Sequence, residues 1–297
     1  MTAMPQIESD IVGLTTASPV SRRNFFMSAS AAAAAGYTLA AGPVRADAIK
    51  TDTQGINVGE GKVKVAGGEM PVYFARTEKT RRAPVIIVCA EIFGLHEYIR
   101  DVARRLAKAG AFAITPDYYF RKGDLTKMTD MKEIMPLVNS KPDAELLADL
   151  DATVAWARLQ GGDIVRLGIV GFCRGGRTVW EYSAHNPNLK AGVAFYGPLV
   201  DAPAQAAVWP KSPTQLAPEM KAPVLGLYGA EDQGIKVEQV EAMKAALAAA
   251  KKTAELKIYP GAPHGFHADY RPSYRKEAAE DGWKSALAWF KKYKVLN

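Results

Sequence analysis

The amino-acid sequence predicts an α/β fold with a mostly parallel central sheet and helices on both faces. Two observations carry this prediction. From residue 56 onward, short apolar runs of strand character alternate with longer stretches of helical periodicity. Within that alternation, a cysteine flanked by glycines lies between an apolar run and a helix-forming stretch, which indicates a sharp turn. In parallel sheets the reactive groups lie at the carboxyl ends of strands, so functional residues are expected there.

Each element is predicted from its local pattern. Residues 62–65 and 70–75 alternate apolar and polar side chains around Gly67 and Gly68, which predicts a hairpin. Continuous apolar runs predict strands over 83–90, 111–115, 165–170, 191–196, 223–228 and 256–259. Helical spacing and composition predict helices over 96–110, 143–160, 177–185, 236–252 and 273–293. The polar segment 120–141 is predicted to be an irregular excursion over the site, and 204–219 a proline-rich connection.

Length, composition and charge are those of a soluble globular protein. The chain has 297 residues, of which 48% are hydrophobic and 23% are charged, enough for one large core. We expect one folded domain over residues 47–297. The formal net charge is +7, but Lys and Arg are scattered rather than clustered, so nucleic-acid binding is not expected. No hydrophobic stripe marks a predicted exposed face, so we expect a monomer.

Residues 1–46 have the pattern of an export signal. Arg22 and Arg23 precede an apolar, alanine-rich stretch over 29–41, and small residues that a signal peptidase reads follow it. The pattern resembles a twin-arginine signal, and the apolar run is shorter than the ~18 residues expected for a bilayer span. We therefore expect cleavage after Ala46, with Ala48 as the competing site. The expected location is periplasmic or secreted, with no stable membrane insertion after cleavage.

Cys173 is the candidate nucleophile. It is the central residue of a Gly-x-Cys-x-Gly pentapeptide over 171–175, between a predicted strand and a predicted helix. Flanking glycines remove Cβ atoms that would clash where a strand turns sharply into a helix, and such a turn holds its central residue above the sheet. The pentapeptide alone is weak evidence, because buried cysteines near glycines are usually inert. Cys89 is the one other cysteine, and a disulfide between the two would silence the nucleophile.

A carboxylate and a histidine follow the last two predicted strands. Asp232 comes after the strand 223–228 and His264 after the strand 256–259, so the chain order is nucleophile, acid, base. Glu231 competes with Asp232 for the role of the acid. The chain has four histidines, and the other three are at predicted helix ends or just beyond His264. The coincidence of a cysteine, an acid and a histidine at three strand ends indicates nucleophilic catalysis.

These residues, together with 89–94 (Cys-Ala-Glu-Ile-Phe-Gly) and 116–121 (Pro-Asp-Tyr-Tyr-Phe-Arg), resemble the dienelactone hydrolase family of α/β-hydrolases over residues 56–293. The resemblance implies hydrolysis of small esters or lactones by a Cys-His-Asp triad, with no metal and no organic cofactor. It also implies that Glu91 holds the resting thiol by a hydrogen bond. The backbone N–H groups of Ile92 and Arg174 are implied to form the oxyanion hole.

The resemblance implies two arginines that contact a substrate carboxylate. Arg121 is at the position of one of them. The other lies four residues after the histidine in the family, and that position is Ala268 here. Arg271 lies three residues further on and is the substitute candidate, against an ordinary surface role. Recognition of an anionic lactone is therefore a separate question from hydrolysis.

Two other classes of function stay open at this point. One is a non-catalytic protein that binds a small molecule in a hydrolase-like shell, with Cys173 as a packing residue. The other is a thiol-redox protein that uses Cys173 and Cys89, although no Cys-x-x-Cys pair supports it. The candidate acid and base argue for catalysis, and poor activity on unstrained peptides is expected.

Overall fold

Eight strands form the central sheet of the computed structural model, which describes residues 48–297. In chain order they are β1 Ile56–Val65, β2 Gly68–Thr77, β3 Pro84–Cys89, β4 Phe112–Pro116, β5 Asp163–Phe172, β6 Ala191–Phe195, β7 Val224–Gly229 and β8 Ala254–Tyr259. Their order across the sheet is β1-β2-β4-β3-β5-β6-β7-β8. β2 pairs antiparallel with β1 and β4, and the other pairings in this sheet are parallel. The predicted mostly parallel sheet is confirmed.

The helices alternate with the strands from β3 onward. They are α1 Glu97–Lys108, α2 Met131–Asn139, α3 Asp143–Leu159, α4 Arg174–His185, α5 Pro213–Leu216, α6 Val237–Ala249 and α7 Lys276–Lys292. Short 3-10 turns lie at Phe120–Lys122, Leu125–Lys127, Pro203–Gln205 and Ala217–Glu219. The five predicted helices are present with shifted ends, and α4 begins three residues earlier than predicted, directly after Cys173.

Both faces of the central strands are covered. Side chains of consecutive strand residues point to opposite faces, yet all residues of β3, β4, β6 and β7 are buried, as are the last six of β5. The hairpin strand β1 differs, because buried and exposed residues are interspersed along it. This burial explains why the central strands were recognisable as continuous apolar runs.

The parallel register brings two chain turns together at one edge of the sheet. β3 lies directly beside β5, with Cys89 opposite Gly171. The loop after β3 therefore begins next to the turn after β5. β6, β7 and β8 follow in order on the other side of β5, so their carboxyl ends lie along the same edge. This edge is where the sequence predicted the functional residues.

The segment 120–141 is more regular than predicted. It contains two 3-10 turns and the helix α2, whose first turn is capped by the Asp130 side chain. Pro136 within α2 lacks an N–H donor and disguises the helical pattern in the sequence. The helix forms nevertheless because its apolar face is buried, through Ile134, Met135 and Val138.

A buried ionic cluster ties this segment to α3. Asp149 on α3 accepts hydrogen bonds from Lys141 Nζ at 2.6 Å and from both terminal nitrogens of Arg121 at 2.9 Å. Lys141 is 1% exposed and the Asp149 side chain 2%. Asp149 is therefore the shared partner of two cations, one of which is fully buried.

The predicted export signal over 1–46 lies outside the described residues and stays a prediction. Among the residues that the structure describes, no helix combines the length and the apolar character needed to cross a membrane.

Replacing Asp149 by Asn tests the importance of the ionic cluster for stability. The change removes the more deeply buried of the two carboxylates that compensate Lys141 and Arg121, and it keeps the shape of the side chain. The two cations then share Glu145 as their one remaining carboxylate, so we expect the free energy of unfolding to fall by about 3 kcal/mol. Chemical denaturation measures the effect. The matched control is Asp151→Asn on the same helix, where a half-exposed carboxylate meets His185 and a change below about 1 kcal/mol is expected. Equal effects of the two substitutions would contradict this account.

Candidate active site

Cys173 occupies a strained turn between β5 and α4. Its backbone has φ 53° and ψ −121°, in a region that residues other than glycine rarely adopt. Its N–H donates to the carbonyl of Phe195 at 3.0 Å, which fixes the turn to β6. The residue is 8% exposed. The sharp strand-to-helix turn expected from the sequence is thus present, with the cysteine at its apex.

Two glycines make this turn possible. A Cβ on Gly171 would lie 2.1 Å from the carbonyl oxygen of Gly175. A Cβ on Gly175 would lie 2.2 Å from the carbonyl oxygen of Cys89, at the end of β3. Both conflicts are with backbone atoms, so no side-chain rearrangement can relieve them. The glycines are required because the turn is packed directly against its own helix and against the neighbouring strand.

Asp232 and His264 form a buried pair at the ends of β7 and β8. His264 Nδ1 lies 2.8 Å from Asp232 Oδ2. The other oxygen of Asp232 accepts the N–H groups of Gly234 at 2.9 Å and Ile235 at 3.0 Å. The carboxylate is therefore held on both sides, and the imidazole is oriented by it. Glu231, the competing acid, is exposed and does not take part in this pair.

The electrostatics of the pair favour a charged histidine. Burial by itself disfavours the imidazolium, but the charges of Asp232 and Cys173 and the hydrogen bond to Asp232 outweigh it and raise the pKa of His264 well above its usual value. Burial likewise opposes ionisation of Asp232, but the charge and hydrogen bond of His264 lower the pKa of the carboxyl. The other ring nitrogen, Nε2, is buried and has no hydrogen-bond partner among residues 48–297.

Tyr196 is a contact of His264 that the sequence analysis missed. It directly follows β6, is fully buried and has φ 37°. Its ring meets the imidazole edge to face at a centroid distance of 5.0 Å. Its position at the carboxyl end of a parallel strand is the signal that would have identified it.

Glu91 lies in a buried cluster with His96 and Tyr270. Its Oε2 is 3.3 Å from His96 Nε2 and accepts the hydroxyl of Tyr270 at 2.8 Å. Burial would raise the pKa of Glu91, but the hydrogen bond from His96 and the charge of Arg271 lower it to about 2. In the described part of the chain no hydrogen bond joins Glu91 to Cys173, so the thiol-holding contact implied by the resemblance is not formed in this structure.

The two predicted oxyanion amides belong to the adjacent turns. Arg174 is the first residue of α4, where a helix leaves N–H groups without intrahelical acceptors. Ile92 follows β3 on the neighbouring loop. The strand-to-helix turn 171–175, called the elbow below, packs against this loop through Gly175. Within residues 48–297 neither N–H donates to another protein group, so both are available to a bound oxygen.

Arg271 is fully buried, so the surface role weighed for it is wrong. Its guanidinium lies over the ring of Phe93 at 4.5 Å from the centroid, and its Nε donates to the hydroxyl of Tyr270 at 2.9 Å. Its charge interacts with Glu91 and with Cys173. The sequence could not show this, because the stretch after His264 is a loop whose path has no periodic pattern.

The donors of Arg121 are bound by protein groups, so its predicted contact with a substrate carboxylate is not supported. Its guanidinium binds Asp149 and Glu145 on α3, and its Nε donates to the carbonyl of Ala66 at 2.8 Å. These partners occupy the donors that a substrate carboxylate would need. The Arg121 side chain is therefore bound by α3 and by the turn between β1 and β2.

The side chain of Arg174, which directly follows Cys173, is buried as well. The guanidinium of Arg174 stacks on Trp209 at 4.1 Å and lies 3.5 Å from Asp143 and 3.7 Å from Glu181. Both acids are shared with Arg177, which is bound more closely to them.

Both cysteines are free thiols, and they differ in environment. Burial raises the pKa of the Cys89 thiol far above its usual value, which keeps it neutral and unreactive. Among the described residues, no group of three or more His, Cys, Asp or Glu is arranged to hold a metal ion.

The sheet order and the elbow after β5 define this protein as an α/β-hydrolase. The chain belongs to the dienelactone hydrolase family, whose sequence model matches residues 70–294. The protein is accordingly a hydrolase of the dienelactone hydrolase type. The matched residues include the elbow, the Asp-His pair, Glu91 and Arg271.

Curated relatives and a solved structure agree with this assignment. A protein from Methylorubrum extorquens, provisionally named carboxymethylenebutenolidase, is 48% identical over 295 residues, which are 98% of this chain and 100% of the relative. A protein of the same provisional name from Escherichia coli K12 is 47% identical over 87% of this chain and 95% of its own length. A crystal structure from Klebsiella pneumoniae, provisionally described as a dienelactone hydrolase, is 50% identical over 80% of this chain and 99% of that one, with a TM-score of 0.78.

Substituting Gly175 by Ala tests the packing of the elbow. The new Cβ would meet the backbone carbonyl of Cys89, so either β3 or the turn must move. We expect the free energy of unfolding to fall by about 3 kcal/mol, and alkylation of Cys173 by iodoacetamide to change in rate. Gly282→Ala in α7 is the control, because no atom there lies within 3.0 Å of the added Cβ. Retained stability and an unchanged alkylation rate in Gly175→Ala would refute the packing argument.

Proposed function

We propose that this protein hydrolyses small esters or lactones with Cys173 as nucleophile, His264 as base and acid, and Asp232 as the group that orients His264. The single observation that carries the proposal is the buried contact of 2.8 Å between His264 Nδ1 and Asp232 Oδ2, which orients the imidazole and leaves its Nε2 without a hydrogen-bond partner in residues 48–297. The strained backbone of Cys173 and the effect of its charge on the pKa of His264 support it. A packing cysteine would need neither the strain nor the oriented base.

The proposed reaction has two steps through a thioester. The Cys173 thiolate attacks the ester carbonyl carbon, and the C–O bond to the leaving group breaks as the thioester forms. The imidazolium of His264 delivers its proton to the departing alkoxide. His264 then accepts a proton from water, whose oxygen attacks the thioester carbonyl; the C–S bond breaks, the carboxylic acid leaves, and the Cys173 thiolate is restored beside the His264 imidazolium. Asp232 stabilises the imidazolium in both steps.

The backbone N–H groups of Ile92 and Arg174 would stabilise the oxyanion of each tetrahedral intermediate. Their support is their position on the two turns packed together at the ends of β3 and β5, and their lack of other acceptors in the described part of the chain. Removal of one such donor typically lowers the rate by a factor of about 100 to 1,000. The name carboxymethylenebutenolidase carried by relatives supports a lactone as one substrate class for this chain.

Two pKa shifts favour catalysis over the alternatives of a non-catalytic binding protein and a thiol-redox protein. A non-catalytic binding protein would not require the raised pKa of His264 beside the thiol. A thiol-redox pair would require a second reactive cysteine, and Cys89 is buried with its pKa raised.

Replacing Cys173 by Ala tests the nucleophile. The substrates are a dienelactone and neutral p-nitrophenyl acetate. The wild type is expected to cleave the activated ester, and the variant is expected to lose about four orders of magnitude in kcat, because no thioester can form. Release of p-nitrophenolate measures one reaction and loss of the lactone absorbance the other.

Cys89→Ala is the matched control, since it removes the other buried thiol and is expected to keep the activity of the wild type. Activity of Cys173→Ala equal to that of the wild type would refute the nucleophile assignment. Absence of activity in the wild type would favour the binding protein.

Replacing Asp232 by Asn tests the origin of the raised pKa of His264. The carboxylate stabilises the imidazolium, so its loss lowers the pKa of His264. The alkaline limb of the pH–rate profile, which reports loss of the imidazolium proton, should therefore move to lower pH by about one to two units. The pH dependence of kcat/KM, which reports the free enzyme and the first step, measures this shift for p-nitrophenyl acetate. Glu231→Gln, which neutralises the adjacent exposed carboxylate, should leave the limb in place, and a shift of equal size there would contradict the pairing.

A further inference from the structure

We propose that the hydroxyl of Tyr196 holds the water molecule that hydrolyses the thioester, which makes Tyr196 a catalytic residue of the second step. The inference rests on the proposed function and adds a residue to it. Three features of Tyr196 support it: its place beside Cys173, its strained backbone and its unsatisfied hydroxyl.

Tyr196 lies beside Cys173 at the carboxyl edge of the sheet. β5 pairs with β6 in parallel, with Phe172 opposite Phe195. The next residue of each chain segment is therefore at the same level of the sheet, and these two residues are Cys173 and Tyr196. The N–H of Cys173 donates to the carbonyl of Phe195 at 3.0 Å, which joins the two turns. The side chain of Tyr196 is thus attached next to the nucleophile.

The backbone of Tyr196 is held in a conformation that tyrosine rarely adopts. Its φ is 37°, in the left-handed region, where residues other than glycine are strained. Its N–H donates to the carbonyl of Leu227 on β7 at 2.8 Å. A Cβ on the following Gly197 would lie 2.3 Å from the backbone of Gly176 in α4, so the turn after β6 is packed tightly against this helix. Strain of this kind persists where the surrounding structure imposes it, and it clusters at functional sites.

The hydroxyl of Tyr196 is buried without a hydrogen-bond partner. Among residues 48–297, Tyr196 is the one tyrosine with a buried hydroxyl in this state. By contrast, the hydroxyl of Tyr98 lies 2.6 Å from His267 Nδ1, and that of Tyr270 donates to Glu91 at 2.8 Å. Burial of an unsatisfied hydroxyl is costly, and a bound water is a common partner of such a group.

The hydroxyl of Tyr196 is neutral and lies near the Glu91 cluster. Burial raises the pKa of Tyr196 well above its usual value, and Tyr98 and Glu91 add to the rise through their charges. In the described part of the chain no hydrogen bond joins Tyr196 to either residue. A neutral hydroxyl can accept one hydrogen bond from water while it keeps its own proton.

A second unsatisfied atom belongs to the imidazole that Tyr196 contacts. The two rings meet edge to face at a centroid distance of 5.0 Å. His264 Nδ1 is bound to Asp232, whereas Nε2 is buried and has no hydrogen-bond partner in residues 48–297. Nε2 is the atom that accepts a proton from water in the proposed second step. Two side chains in contact therefore each offer one free acceptor beside Cys173.

A single water between these two acceptors is oriented for attack. It donates one hydrogen bond to His264 Nε2 and one to the Tyr196 oxygen, so a lone pair of its oxygen stays available for the thioester carbonyl carbon. In the step itself His264 takes one proton, the water oxygen bonds to the carbonyl carbon and the C–S bond breaks. Tyr196 keeps its proton and holds the water. The first step needs no water, because Cys173 is its nucleophile, so Tyr196 acts on one step alone.

Tyr196→Phe tests this assignment, because it removes the hydroxyl and keeps the ring that contacts His264. With p-nitrophenyl acetate, kcat/KM reports formation of the thioester, and the decay of the acetyl-enzyme reports its hydrolysis. We expect kcat/KM to stay within about twofold of the wild type and the hydrolysis rate constant to fall about 10- to 100-fold, as for a lost partner of a buried hydrogen bond. Stopped-flow absorbance should show a burst of about one p-nitrophenolate per enzyme. Mass spectrometry of quenched samples should find the acetyl group on the peptide that contains Cys173.

A matched variant and a second nucleophile control for damage to the fold. Tyr182→Phe removes the hydroxyl of another fully buried tyrosine, which is bound to Asp151 on α3, and both steps should keep their wild-type rates. Hydroxylamine attacks the thioester carbonyl through its nitrogen, forms the hydroxamic acid and releases the thiol. It is a stronger nucleophile than water and does not depend on a held water, so it should restore turnover in Tyr196→Phe.

Two results would overturn the assignment of Tyr196 alone. A fall in kcat/KM as large as the fall in thioester hydrolysis would mean that the hydroxyl acts in both steps or on the structure of the site. Hydrolysis of the acetyl-enzyme at the wild-type rate would mean that Tyr196 holds no water. Failure of the proposed function gives a different result: neither the wild type nor Tyr196→Phe would carry an acetyl group on Cys173 or release a burst of p-nitrophenolate, and both assignments would fall.

Discussion

The site depends on a backbone contact between the turn after β5 and the end of β3. Gly175 lies so close to the carbonyl of Cys89 that no side chain fits between them. This contact places the first N–H groups of α4 beside the loop that carries Ile92, and it holds Cys173 in its strained conformation. The packing of the sheet thus fixes, in a single contact, both Cys173 and the surroundings of the proposed oxyanion.

Around this rigid turn, the polar groups form two clusters with different properties. Asp232 and His264 are mutually satisfied, and the carboxylate also accepts two backbone N–H groups, so the imidazole has one orientation. Glu91 is satisfied by His96 and Tyr270 and is held as a carboxylate by them and by the charge of Arg271. A carboxylate bound in this way has little tendency to take a proton from a neighbouring thiol. The proposed role of His264 as the partner of Cys173 agrees with this state of Glu91.

The parts of this structure that were predictable from sequence are those set by periodicity and by strand ends. Continuous apolar runs identified the central strands because both faces are covered, and the elbow was identified by its glycines. The helix α2 was missed because Pro136 interrupts its pattern, although burial of one face stabilises it. Tyr196 and Tyr270 were missed because contacts between residues distant in sequence decide their roles, and no local pattern records such contacts.

The two arginines show why the surroundings of a loop side chain are harder to predict than the residues at strand ends. Arg121 matches a family position, but Asp149 and Glu145 satisfy its guanidinium before any substrate can. Arg271 matches no such position, and its loop brings it over Phe93 beside the reacting groups. Cys173, Asp232 and His264 directly follow strands of a parallel sheet, and the apolar runs of those strands place them at its carboxyl ends. The surroundings of Arg121 and Arg271 depend instead on contacts with residues distant in sequence, which no local pattern records.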